Sequence, residues 1–385
     1  MAKRVIVAGA IGAHPLSGGG NTWAFLQYVL GFRRLGFETY YLEQLDPQDC
    51  IDDGWNRATF SASANARHFR ALMETFNLLG HGSLLESAGS GHVGLSLAEV
   101  KTLARDVDLL VNISGRLNFE SVLGAVRRRM YLDMDPGFTQ IWQEQYGVDM
   151  NLRGHDVYVT VGLNLGEPDC PLPTCGIRWE KSLPPVIIGE WQATNKPAGK
   201  AYSTVADWRG VGPVEWQGVW YGQKAEEFRK IIDLPSRIAV PLELCLLIHP
   251  DERDRIDLER SGWRLVSPKV HAATPDTYRD YIFGSRGECT AVKHGYAAGR
   301  TGWFSDRSAC YLAAGRPVIM QDTGFRPYLP TGLGLITFTD IDSAAEAINR
   351  VQSDYSRHAA AAVSFAREFL DSDVVLNHLL RLAGI

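Results

Sequence analysis

The residue types best suited to chemistry fall in one run, Lys293-His-Gly-Tyr-Ala-Ala-Gly-Arg-Thr-Gly-Trp-Phe-Ser-Asp-Arg-Ser, continued by Ala309-Cys-Tyr-Leu-Ala-Ala-Gly-Arg-Pro-Val-Ile-Met-Gln-Asp-Thr-Gly-Phe325. It reads as a strand, a glycine loop with two cations, a helix opening at Ser305, a Gly-x-Pro turn, a strand, and a last turn at Asp322-Thr323-Gly324. A helix N-terminus offers free backbone N–H groups and the positive end of a dipole. Glycines let that backbone approach a phosphate, and Lys293, Arg300 or Arg307 can add charge-assisted hydrogen bonds. A sugar-nucleotide pyrophosphate suits this chemistry, because its charge needs shielding most when it departs. Asp306, in the first turn of the helix, fits either a ligand contact or a simple stabiliser of the dipole.

Two weaker groups stand elsewhere. His14 precedes Ser17-Gly18-Gly19-Gly20-Asn21, and three consecutive glycines before a helix cost backbone entropy, which argues for close approach of something. An imidazole there can take a proton from an attacking hydroxyl. Asp133 and Asp135, in Tyr131-Leu-Asp-Met-Asp-Pro-Gly137, end a strand and supply carboxylates. Arg209 and Lys224 are cations at the start of the second half. A loop histidine, an ordinary Asp-Pro-Gly turn and solvated surface cations explain the same residues, so the sequence leaves these readings open.

The elements that must position these groups alternate along the chain. Arg4 to Ala10 predicts a strand, Thr22 to Leu35 a helix capped by Asn21 and stopped by Gly36, and Phe37 to Leu42 a parallel second strand. Helices are expected at Leu97–Arg105 and Phe119–Arg128, and strands at Asp108–Ile113, Met130–Met134 and Val157–Val161. Pro168 to Pro185 reads as a loop near a domain junction. The second half repeats the alternation, with weak strands at Ala201–Ala206 and Ile238–Val240, a helix at Lys224–Ile232, and an apolar run at Leu244–Ile248. Later come a helix at Thr277–Ile282, strands at Cys289–Val292 and Pro317–Met320, and helices at Ser305–Ala314, Ser343–Val351, His358–Phe369 and Val374–Leu382. The prediction is an α/β protein of two Rossmann-like, doubly wound domains, 1–190 and 191–385, facing a central cleft, with the last helix free to pack back on the first domain.

Composition sets the outer bounds. The 385 residues are 45% hydrophobic and 22% charged, and the net charge of −5 is spread without blocks of one sign. Without a basic patch, a nucleic-acid partner is not expected. The longest apolar stretch, Val5 to Ala13, falls far short of the ~20 residues of a membrane helix, and it lacks a signal-peptide cleavage site. Six scattered cysteines form no disulfide framework or zinc-like spacing, so no metal is expected and a cytoplasmic enzyme is. No Gly-x-Ser-x-Gly elbow or Gly-Lys-Ser/Thr loop occurs. Gly9-Ala-Ile-Gly12, with Glu43 as the acid after the second strand, is a faint dinucleotide-binding signal that keeps a dehydrogenase in view. Tryptophans dense between 142 and 220 could stack on a sugar or an aglycone, or simply fill the core.

The Ala-Ala-Gly-Arg-Pro-Val-Ile core of Ala309 to Asp322 resembles the donor-binding segment of GT-B fold glycosyltransferases of the bacterial family 1 and 4 type, and Ser17–Gly20 resembles their N-terminal loop facing the donor phosphates. The resemblance implies a sugar transferred from a nucleotide-diphosphate donor to a small-molecule or glycan acceptor, without a cofactor or metal. It places Lys293, Arg300, Ser305, Asp306, Arg307 and the Asp322-Thr323-Gly324 turn on the donor, with Gly18, Gly19 and Gly20 opposite. In inverting members a His after the first strand is the base, steadied by an Asp, which here implies His14 with Asp133 or Asp135. Retaining members use an Arg/Lys pair, for which Arg209 and Lys224 stand. Many members carry Glu where this chain has Cys310, so either Asp306 or Glu288 would hold the ribose, or the nucleotide is held differently. An epimerase of the same fold, or a non-catalytic nucleotide-sugar-binding protein, fits as an alternative, and a homodimer stays open.

Overall fold

A computed structural model describes residues 3–15, 18–87, 89, 91–192, 196–210 and 212–385. Val5, Ile6 and Val7 have no exposed surface, the signature of a central strand covered on both faces. They belong to β1 (Arg4–Gly9), the middle of a sheet completed by β2 (Glu38–Leu45), β3 (Gly82–Glu86), β4 (His92–Gly94), β5 (Leu109–Ile113), β6 (Arg129–Asp133), β7 (Val157–Thr160) and β8 (Glu180–Lys181). The spatial order is β4-β3-β2-β1-β5-β6-β7-β8, parallel throughout except for β3 against β4. The second sheet uses β9 (Tyr202–Asp207), β12 (Leu242–Leu247), β13 (Arg264–Val266), β14 (Gly287–Thr290), β15 (Val318–Gln321) and β16 (Leu335–Phe338), in the all-parallel order β13-β12-β9-β14-β15-β16. A hairpin of β10 (Val214–Trp216) and β11 (Val219–Tyr221) stands apart. Strand order reverses at β1/β5 and at β9/β14. The crevice outside the carboxyl ends at such switch points is where open α/β sheets bind ligands.

The first helix, Gly19–Arg34, starts earlier than the sequence predicts, and Asn21 lies inside it rather than capping it. The Asn21 amide instead donates to the Ala10 carbonyl at 2.8 Å, tying helix to strand. Gly36, at φ +87°, ends the helix as expected. This helix is wedged between the halves. The Trp23 indole donates to the Pro275 carbonyl at 2.9 Å and packs edge-on against Trp191 at 5.2 Å. Helix Ser372–Ala383 lies on its other side, where Leu376 comes so close to Gly31 that a Cβ there would meet it at 2.5 Å. Chain return is fixed by backbone bonds from Val186 N to Leu370 O and from Ser372 N to Val186 O. Several expectations shift. The Phe119–Arg128 helix shortens to Glu120–Leu123, Ile238–Val240 is not a strand, and β3, β13 and β16 had no separate signal. No helix among the described residues is long and apolar enough to cross a membrane.

Candidate active site

Two adjoining cavities, of about 260 Å3 and 280 Å3, share Asn21, Asp306 and Arg307 and lie between the two sheets at their carboxyl ends. The first brings together Asp135, Lys224, Lys293, Tyr296 and Ser305, and the second takes in His14, Gly20, Asp207 and Tyr278. Four of the elements meeting here are β6, the helix starting at Lys224, the short helix His294–Ala298, and the helix Asp306–Ala313.

The cations differ in how they are matched. Arg307 is 9% exposed, and its guanidinium pairs with Glu288 while donating to Val205 O at 3.0 Å and Thr290 Oγ1 at 3.2 Å. Lys293 Nζ lies 2.6 Å from Asp135 Oδ1. Lys224 has neither a hydrogen bond nor an ion pair among the described residues. Burial, then repulsion from Arg307 and Lys293, pulls its ammonium down to about 7, against weaker pulls from Glu288 and Asp207. Ser305 caps the Asp306–Ala313 helix without a side-chain bond, and its buried Oγ has no partner among the described residues. A cation repelled by its neighbours, beside an uncapped helix N-terminus, has the chemistry to attract an anion. Asp306 lines both cavities, and burial raises its carboxyl.

Other expected residues are placed differently. Asp133 has no exposed surface and accepts from Thr139 Oγ1 at 2.7 Å, Thr160 Oγ1 at 2.9 Å, Gln140 Nε2 at 3.1 Å and Asp135 N at 3.1 Å, so it braces the turn after β6. Neither Asp133 nor Asp135 hydrogen-bonds His14. Desolvation by the cleft walls and then Arg116 hold that imidazole below its usual value, against Asp207. The glycine loop is also corrected. Ser17 lies outside the described residues, and what approaches the glycines is the protein itself. A Cβ at Gly18 would meet His14 O at 2.3 Å, one at Gly19 would meet Thr274 O at 2.3 Å, and one at Gly20 would meet the Tyr278 ring at 2.9 Å. Gly19 N donates to Ala272 O at 3.1 Å, closing the halves here. Only Gly20 lines the cleft.

Arg209 forks onto Glu252 at 3.0 and 2.9 Å beside a cavity of about 760 Å3 that adjoins the second one through Asp207, Leu247 and Pro268. Arg300 points outward to Asp169 at 2.8 Å. Asp322, Thr323 and Gly324 line neither cleft cavity. Thr323 supports the 300–303 loop, donating through Oγ1 to Trp303 O at 2.7 Å and accepting at its carbonyl from Gly302 N at 2.7 Å. Cys310 is buried against Gln27 of the first helix, its Sγ 3.8 Å from the amide nitrogen, so this position is spent on packing the halves together. Glu288 is committed to Arg307 and Ser308, leaving Asp306 as the accessible carboxylate of the two proposed for a ribose. Glu43 is sealed under the first loop, accepting from Gly12 N at 2.8 Å, and is not free for a dinucleotide ribose.

Sequence reasoning missed Tyr296 and Arg116. Tyr296 stands three residues after Lys293 in a segment whose sequence reads as a loop; it forms the short helix His294–Ala298 with Lys293 as its N-cap, and both side chains reach Asp135. Arg116 follows β5 at the switch point and forms no ion pair among the described residues. Only strand order, invisible in sequence, marks it.

No protein-family model matches the chain, and no curated protein matches its sequence. Solved structures do. An alpha-glucosyltransferase in complex with UDP and a 13-mer DNA aligns over 100% of both chains, with TM-score 0.58 and 11% identity. Anabaena HepE in complex with UDP and glucose aligns over 99% of both, with TM-score 0.56 and 12% identity, and its complex with UDP-glucose gives 0.57 and 13%. The chain therefore has the fold of the GT-B glycosyltransferases, two Rossmann-like units about a cleft. One expectation is overturned here: a protein of this fold is solved with DNA, so a scattered surface charge does not exclude a nucleic-acid partner.

Proposed function

We propose that this chain is a glycosyltransferase that takes a sugar from a nucleotide-diphosphate donor and passes it to an acceptor hydroxyl, on a small molecule, a glycan or a nucleic acid. The second half holds the donor and the first half the acceptor. Lys224, Lys293, Arg307 and the N-terminus at Ser305 face the diphosphate and take up the charge that develops as it leaves, the task a metal ion would otherwise serve. Asp306 faces the ribose or sugar hydroxyls. His14, which lines one cavity, or Asp135, which lines the other, accepts the acceptor's proton. Six free thiols favour a reducing, cytoplasmic setting.

The observation that carries this reading is Lys224, an unmatched ammonium in a cleft shared with two other cations. Its test is calorimetric titration with nucleoside diphosphates and inorganic pyrophosphate. Wild type binds, and Lys224→Met weakens binding by roughly tenfold or more. Equal affinity in the two proteins removes the diphosphate from this cleft.

A further inference from the structure

Lys293 and Asp135 come from opposite halves of the chain and meet across the cleft. The Tyr296 hydroxyl donates to the same Asp135 oxygen, and Lys293 Nζ stands 5.1 Å from the Phe138 ring centroid and 5.2 Å from that of Tyr296. The bridge is partly wet, with 22% of the Lys293 and 37% of the Asp135 side chain exposed. Asp133, two residues earlier, is dry and fully donated to. Of the two carboxylates only Asp135 can be exchanged from its partner without opening a core, since separating a wet pair costs far less than separating a buried one.

Asp135 also sits on a boundary. On one side is the cavity with Lys224, Lys293 and Arg307. On the other is a fourth cavity, of about 540 Å3, lined by Arg116, Thr139, Trp142 and Asn151 among others at the ends of β5 and β6. Ser114 and Asn151 hold φ of 53° and 52° on its wall, in the left-handed region that few non-glycine residues other than Asn and Asp enter.

We propose, building on the donor reading above, that Asp135 holds the place of a donor phosphate: the arriving diphosphate takes Lys293, and the released carboxylate serves as base for an acceptor hydroxyl in the fourth cavity. The charges that line the cleft show why. Arg307 is matched by Glu288 and Lys293 by Asp135, while Lys224 has no ion pair among the described residues and only the weaker pulls of Glu288 and Asp207. A diphosphate carries two negative charges. It meets Lys224 without competition, but gains Lys293 only by displacing Asp135.

The displacement also arms the base. Burial pushes the Asp135 carboxyl up, and Lys293, with smaller help from the Tyr296 hydroxyl and Arg116, more than offsets this, leaving it below the usual range. With Lys293 turned to the phosphate, the carboxylate becomes more basic. The acceptor O–H then gives its proton to Asp135 and the acceptor oxygen bonds to the sugar C1. The bond from C1 to the diphosphate oxygen breaks with its electron pair on that oxygen, beside Lys224 and Lys293. A base that is armed only with donor bound gives an ordered reaction, donor first.

The test is calorimetric titration of the full chain with inorganic pyrophosphate at pH 7. Asp135→Asn binds about tenfold tighter than wild type and Lys293→Met about tenfold weaker, while the double variant matches Lys293→Met because no cation is left to release. Asp135→Ser, neutral and smaller, gives the same gain and stands in should the asparagine variant fail to fold. Unchanged or weaker binding in the neutral Asp135 variants, with Lys293→Met still weakened, overturns the exchange and leaves the donor site standing. Unchanged binding in both Lys293→Met and Lys224→Met, or no binding by wild type, overturns the donor reading itself.

Discussion

Lys224 makes the donor site measurable through its proton. Its value of about 7 in the free protein follows from burial and from Arg307 and Lys293, with Glu288 and Asp207 only partly compensating. At pH 8, one unit higher, about a tenth of the lysine is charged. A diphosphate in contact favours the charged form and returns the group toward its ordinary ~10.4. Binding at pH 8 therefore draws in about 0.9 proton per site, and at pH 6 only about 0.1. UDP-glucose is a clean probe, since its diphosphate has no proton titrating in this range; ADP-, GDP- and dTDP-glucose complete the set should the pocket take another base. The assay is calorimetry in two buffers of different ionisation enthalpy. Observed enthalpies should diverge at pH 8, converge at pH 6, and be buffer-independent throughout in Lys224→Met. Affinity should also fall by up to about tenfold per pH unit above 8, as charging the lysine becomes part of binding. The same linkage acts on folding. The folded value lies below the unfolded one, so Lys224 makes the ligand-free protein gain stability as pH rises from about 7 to about 10. Identical enthalpies in both buffers at pH 8, with affinity flat in pH, refute the argument that this lysine meets the phosphate.

Three further outcomes follow from the packing. Gly19→Ala drives a Cβ against the Thr274 and Ala272 carbonyls, at 2.3 and 2.6 Å, and lowers stability by about 2–3 kcal/mol in urea unfolding; an unshifted midpoint would show that the halves do not close at Gly19. Glu288→Ala strands the Arg307 guanidinium and costs about 3 kcal/mol by thermal or urea unfolding, and a neutral result would mean the arginine finds water instead. Glu43 has no exposed carboxyl surface to speak of and an Oε1 without a partner, and burial raises it to about 7 against bonds from Gly12 and Tyr41. The stability it lends is complete below about pH 4.5 and is lost as pH rises through 7, up to about 3 kcal/mol. Glu43→Gln should flatten that slope between pH 5 and 7, and a slope equal to wild type would place the titration elsewhere.

The sequence by itself determined the class of fold and the donor-side segment. Apolar runs such as Val5–Val7 and Val318–Met320 are short and uninterrupted because strands covered on both faces need no polar alternation, and that pattern is local. The Lys293-to-Asp306 run was legible for the same reason, since glycines, cations and a helix start lie within one stretch of chain. What only the tertiary structure decided is which of these groups meet. Asp135 and Lys293 are 158 positions apart, and Lys224 is made remarkable by neighbours no spacing rule connects to it. Gly18–Gly20 carry the same lesson in reverse. Their composition demanded that something come close, but loop chemistry cannot tell a phosphate from the carbonyls of Ala272 and Thr274, because both are oxygen atoms pressed against a backbone without a side chain. Contacts between distant segments are set by how two sheets and the helix between them pack, and that packing energy is spread over the whole core and not written in any one motif.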